Sequence, residues 1–224
     1  MARPQVAPHV ASGRYAAVSI GYRLSGEVSY PAPLHDVKAG IRWIRAHADQ
    51  YGFDPDRICA MGASAGGHLT ALVGTTNGSA EHAGALGSHD DQSSDVSCAI
   101  DLFGPTDLTA ATPSSRPSGA GPTSRAAFLG EADGSQSALA RSASPLLQVD
   151  PGDPPFLIIH GTADPLVPYS DSVALDAALR EAGVPSTLMT IEGGGHGDFF
   201  GPETTEQVRT FLDAHIGAPV VSAP

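Results

Sequence analysis

Arg57-Ile58-Cys59-Ala60-Met61-Gly62-Ala63-Ser64-Ala65-Gly66-Gly67-His68-Leu69-Thr70 is a short apolar run, then a turn of very small residues, then a helical pattern. Gly62, Ser64 and Gly66 fit G-x-S-x-G. A nucleophile on a sharp strand-to-helix turn needs strained backbone and neighbours with almost no side chain. Gly62, Ala63, Ala65, Gly66 and Gly67 meet that need. The Ser64 hydroxyl then stands clear of the sheet at the start of a helix, and the N–H of Ala65 faces any oxyanion formed there. Glycine and serine are common in turns, so the flanking strand and helix are what make Ser64 a candidate nucleophile.

Working outward, the pattern alternates between strand and helix. Residues 6–12 fit a short helix. Residues 15–22 are mostly apolar and read as a buried strand of the parallel-sheet kind. Leu34, Val37, Ile41, Ile44 and Ala48 recur on one helical face, with Arg42, Arg45 and Asp49 largely off it. Beyond the helix at 65–75, residues 77–94 are rich in Gly, Ser, Asp and His and read as a solvated loop. His68, His82 and His89 show no metal-ligand spacing, so no metal site is expected. Residues 96–103 form the next strand, 112–121 a Pro/Ser/Gly-rich surface segment, and 124–147 one or two short helices. Strands at 155–160 and 187–191 flank a helix at 169–182 that Gly183 and Pro185 close; a helix at 203–216 follows, and 217–224 is a frayed tail. The expectation is one domain over residues 1–224: about five mostly parallel strands with helices on both faces.

Composition narrows the partners. The 224 residues suit a single sizeable core. With 24 acidic against 12 basic residues the net charge is −12, which repels phosphate backbones and anionic membranes. No apolar run is long enough to span a bilayer, and the N-terminus lacks the apolar core of a signal peptide. That fits a cytoplasmic protein, or a secreted one whose leader has been removed. Cys59 and Cys98 sit inside apolar runs and read as buried thiols rather than a disulfide.

Three polar residues lie just past the carboxyl ends of predicted strands: Ser64, Asp164 and His196. Parallel sheets place their chemistry at that edge. A serine hydroxyl hardly ionises at neutral pH and needs a base; His196 can take its proton and return it to a leaving group. Asp164 can hold the other ring N–H and stabilise the imidazolium. The glycines around His196 suit a loop that brings the ring to the serine. Asp198 is too close in sequence to His196 to reach the far ring nitrogen. His68 and His160 read as structural or packed residues.

The segments Gly62-Ala63-Ser64-Ala65-Gly66-Gly67-His68-Leu69, Phe103-Gly104-Pro105-Thr106-Asp107, His160-Gly161-Thr162-Ala163-Asp164-Pro165-Leu166-Val167-Pro168 and Gly195-His196-Gly197 resemble the α/β-hydrolase esterase/lipase family. The nearest branch is the hormone-sensitive-lipase-like and feruloyl-esterase-like bacterial carboxylesterases, which Tyr22-Arg23-Leu24 and residues 36–44 also resemble. The resemblance covers nearly the whole chain. It implies the α/β-hydrolase fold and a triad of Ser64, Asp164 and His196, with Ala65 as an oxyanion donor and no cofactor. Family members carry an H-G-G-G segment upstream that supplies a second donor; by the resemblance, the expectation is that this segment and about three N-terminal strands are missing here. Losing one such donor costs about 10²–10³ in rate. The expectation is that residues 15–22 move into the empty slot beside residues 57–61, and that the resulting open edge joins two chains as a homodimer. The implied activity is hydrolysis of short acyl esters, or of aromatic esters of the feruloyl or polyester type, on small or polymeric substrates. An inactive remnant acting as a binding protein and a prolyl-oligopeptidase-like peptidase are the alternatives.

Overall fold

The structure, a computed structural model, describes residues 3–109, 124–131, 137–198 and 200–217. The surface segment expected at 112–121 and most of the expected tail lie outside these residues. The elements are α1 (Arg3–Ala11), α2 (Ala32–Ala46), α3 (Ala48–Tyr51), β1 (Cys59–Ala63), α4 (Ala65–Gly74), β2 (Cys98–Leu102), α5 (Ser124–Leu129), α6 (Ala138–Ser142), β3 (Phe156–Gly161), α7 (Tyr169–Glu181), β4 (Ser186–Ile191) and α8 (Pro202–His215). The four strands form one fully parallel sheet in the order β1-β2-β3-β4. None of the described helices is long and apolar enough to cross a membrane.

Burial explains why the strands read so clearly. Every residue of the central strands β2 and β3 is buried, as continuous apolar runs require when helices cover both faces. Alternate residues serve opposite layers. Cys98, Ile100 and Leu102 pack with Leu157, Ile159 and the α8 residues Val208, Phe211 and Leu212. Ala99, Phe156 and Ile158 pack with Ala71 of α4 and Leu175 and Leu179 of α7. Burial of a side chain such as Val208 or Leu212 is worth roughly 1.5–3 kcal/mol. Leu34 and Ile41 of α2 join Leu69, Leu72 and Val73 of α4 in a third cluster.

The structure corrects four sequence readings. First, residues 15–22 form no strand. They run extended and mostly exposed: Tyr15 packs toward α8, while Ile20 and Tyr22 pack toward α2. Among the described residues the sheet therefore has four strands, where about five were expected. Among the described residues β1 pairs only with β2, and the ground for a homodimer built on that strand falls with it. Second, Cys59 and Cys98 are joined in a disulfide. Parallel pairing sets them opposite each other in register, with 4.7 Å between their α-carbons. Third, Arg42, expected largely off the apolar face of α2, is not left in solvent there. It is buried, and its guanidinium donates to the carbonyls of Ala83 and Leu86. Lys38, buried beside it, donates to the Thr76 carbonyl at 2.9 Å. Fourth, these bonds make part of the 77–94 loop a packed layer over α2, and His82 within it is buried against Ser79 and Ser142.

Candidate active site

Because all four strands are parallel and in register, their carboxyl ends share one edge. Ser64 follows β1, Phe103 follows β2, Asp164 lies three residues past β3, and His196 lies in the loop after β4. Ser64 adopts φ 54° and ψ −118°, a region that ordinary side chains avoid. A residue held there costs on the order of 1–3 kcal/mol, which the surroundings must supply. The Ser64 N–H donates to the Leu102 carbonyl at 2.9 Å, and the Ser64 carbonyl accepts from His68 N–H at 2.9 Å. The turn is too tight for side chains: a Cβ on Gly62 would lie 2.1 Å from the Gly66 carbonyl oxygen. A Cβ on Gly67 would lie 2.4 Å from Asp101 Oδ1. Ala65 is the first residue of α4, so its N–H is among those with no acceptor inside the helix.

The structure brings Ser64, Asp164 and His196 together. His196 Nε2 lies 2.9 Å from Ser64 Oγ, and His196 Nδ1 lies 2.7 Å from Asp164 Oδ2. The carboxylate fixes the tautomer: Nδ1–H donates to Asp164, leaving Nε2 to accept the serine proton. The other carboxylate oxygen, Oδ1, accepts from Leu166 N–H at 2.7 Å and Val167 N–H at 3.0 Å. Burial pushes the Asp164 carboxyl up, but the Val167 N–H, the His196 ring and the Leu166 N–H outweigh it and hold the group below its ordinary value. Asp198 accepts from Gly195 N–H at 2.8 Å and so shapes the loop. His68 is buried and donates from Nδ1 to the Pro105 carbonyl at 2.8 Å; burial lowers its pKa to about 4, keeping it neutral.

Sequence reasoning missed two residues here. Phe103, with φ 48°, lays its ring 4.6 Å from the His196 ring, and a Cβ on Gly197 would lie 2.9 Å from the Phe103 ring. Nothing in an apolar strand end foretells a left-handed phenylalanine. Asp101, paired in register with Gly62, is fully buried behind the turn, where Oδ1 accepts from Gly104 N–H at 2.9 Å. Its Oδ2 has no partner among the described residues. Its one legible signal was a lone acid inside an apolar strand.

Burial, with Asp171 nearby, raises the Asp101 pKa to about 7 against the Gly104 bond. The unfolded chain ionises this group near pH 4, whereas the folded chain holds its proton to about 7. The unfolded state therefore binds fewer protons across that window, and stability falls as pH rises through it. Asp101→Asn keeps the shape and removes the titration. Urea midpoints measured from pH 4 to 8 are expected to decline for the parent relative to Asp101→Asn up to about pH 7 and run parallel above it. Parallel curves throughout would refute the assignment.

Comparison with known proteins gives the arrangement relatives. A family profile described as BD-FAE matches residues 2–179. Esterase LipQ of Mycobacterium tuberculosis is 34% identical over 187 residues, 81% of this chain and 42% of LipQ. A truncated form of a carbohydrate esterase from gut microbiota superposes with a TM-score of 0.80 at 35% identity, covering 88% of this chain and 73% of the other. Esterase 2 of Thermogutta terrifontis, in a structure phosphorylated by paraoxon, superposes with a TM-score of 0.76 at 28% identity, covering 97% and 77%. The chain spans less than half the length of the curated relatives LipQ and LipC, 42% and 47%.

Proposed function

Because the chain belongs to the BD-FAE family, and with it to the α/β-hydrolase esterases, we propose that it is a serine carboxylesterase working through an acyl-enzyme on Ser64. The observation that carries this reading is the unbroken chain from Ser64 Oγ through the His196 ring to Asp164, at 2.9 and 2.7 Å. Ser64 Oγ attacks the ester carbonyl as its proton passes to His196 Nε2. Asp164 stabilises the imidazolium, and the Ala65 N–H donates to the oxyanion. Collapse breaks the bond to the alcohol, which leaves with the proton from His196. A water, deprotonated by the same nitrogen, then attacks the acyl carbon; the acid departs and Ser64 regains its proton.

The substrates are carboxylic esters with a short acyl group, on small molecules or on carbohydrate. The similarity to a carbohydrate esterase supports the second kind of alcohol. Phosphorylation of the Thermogutta esterase by paraoxon supports organophosphate reactivity here. A fluorophosphonate probe is expected to add once per chain, with the adduct on Ser64 by peptide mass spectrometry, and to abolish hydrolysis of p-nitrophenyl acetate. A folded protein that stays unlabelled overturns the proposal. Faster turnover of methyl ferulate than of acetate esters overturns the choice of acyl group.

A further inference from the structure

The sequence reading treats His160 as a packed residue at the end of a strand, yet its ring meets the same carboxylate oxygen as His196. His160 Nε2 lies 3.2 Å from Asp164 Oδ2 and 3.2 Å from the Val167 carbonyl. His160 Nδ1 lies 2.7 Å from Ser172 Oγ. The side chains of His160 and Asp164 are wholly shielded from solvent, and Ser172 is buried. We propose that His160 is a positioning residue: its Nε2–H donates to Asp164 Oδ2 and fixes the carboxylate in the orientation His196 requires. The inference rests on the esterase reading of Asp164 given above.

The partners determine the tautomer. An ionised carboxylate and a carbonyl only accept, so Nε2 carries the hydrogen and shares it between them. Nδ1 is then a bare acceptor, and Ser172 donates its hydroxyl proton to it. Burial lowers the His160 pKa against the pull of Asp164, Val167 and Asp171, which agrees with a neutral ring holding one N–H. The ring also stacks edge-on with the Tyr169 ring at 5.8 Å and the Phe103 ring at 6.5 Å.

Asp164 needs such a second holder. Its Oδ1 is tied to two backbone N–H groups, but among the described residues Oδ2 meets only ring nitrogens. His196 sits in a loop where Gly193 and Gly197 take φ of +71° and +84°, and its own hydrogen bonds change as it shuttles a proton. His160 is the penultimate residue of β3, the most buried strand with β2, and takes no part in the proton transfer. It holds Oδ2 in place whatever the state of His196. A misplacement of about 1 Å at a reacting geometry can cost 10²-fold in rate.

His160→Phe keeps most of the volume and removes the N–H. It is expected to lower kcat for p-nitrophenyl acetate by about tenfold or more with KM within about twofold. His160→Gln places an amide N–H near the Nε2 position and is expected to recover kcat to within about threefold of the parent. Ser172→Ala leaves the ring but frees its tautomer and is expected to cost about threefold in kcat, which keeps the test informative should His160→Phe fail to fold. Ser64→Ala is assayed alongside; if it retained parent activity, the esterase reading itself would fail. With Ser64→Ala inactive, parent kcat in His160→Phe or in Ser172→Ala overturns the role of His160. So does a loss in His160→Gln equal to that in His160→Phe at an unchanged melting temperature.

Discussion

Ser64→Ala is expected to lower kcat for p-nitrophenyl acetate by about 10⁴-fold or more, while the circular dichroism spectrum and melting temperature stay within error of the parent. The chemical part follows from the geometry: Ser64 Oγ is the only hydroxyl hydrogen-bonded to His196 Nε2 among the described residues, at 2.9 Å. Without it the base has no nucleophile to activate. The structural part follows from the backbone. Ser64 sits at φ 54°, and alanine pays much the same cost there as serine. The bonds that hold the turn, from Ser64 N–H to Leu102 and from His68 N–H to the Ser64 carbonyl, are backbone bonds and survive. His196 keeps its bond to Asp164 and remains partly exposed, so water satisfies Nε2. A variant that hydrolysed the ester at the parent rate would place the chemistry elsewhere in the molecule.

What could be read from the sequence divides along a physical line. The meeting of Ser64, Asp164 and His196 was legible because a parallel sheet presents its carboxyl ends at one edge, and each residue comes after a strand that the sequence pattern marks. Strand existence is local; strand pairing is not. Residues 15–22 are as apolar as a strand, but a strand also needs a neighbour to satisfy its backbone, and nothing within the segment names one. In the fold Tyr15 turns to the α8 layer and Ile20 and Tyr22 to the α2 layer. The disulfide was hidden for a related reason: Cys59 and Cys98 meet only because β1 and β2 pair in one particular register. Arg42 read as lying off the apolar face, and the burial of Arg42 and Lys38 was not legible, because the carbonyls they serve lie dozens of residues downstream. His160 was visible as a buried ring, but its contact with Asp164 depends on the turn that brings the chain back four residues later.

That same saturated carboxylate sets the second large effect. Asp164→Asn is expected to reduce kcat by about 10⁴-fold at neutral pH, and to slow labelling by the fluorophosphonate to a similar extent. Four N–H groups converge on Asp164, two on each oxygen. An asparagine must set its NH₂ against one of those pairs. Facing Leu166 and Val167, it would leave buried backbone donors unsatisfied, at roughly 1–3 kcal/mol each. Facing the rings, it leaves His160 Nε2–H to the Val167 carbonyl alone, and it forces His196 to present Nδ1 as an acceptor, so that the His196 ring proton moves to Nε2. The backbone donors are fixed in the turn while His196 rides on a glycine loop, so the second arrangement wins. Nε2–H then points at Ser64 Oγ, and the ring no longer has a lone pair with which to take the serine proton. Stability is the control: in the second arrangement the melting temperature falls far less than the rate. An Asp164→Asn protein within about tenfold of the parent in kcat would show that the tautomer of His196 does not depend on this carboxylate.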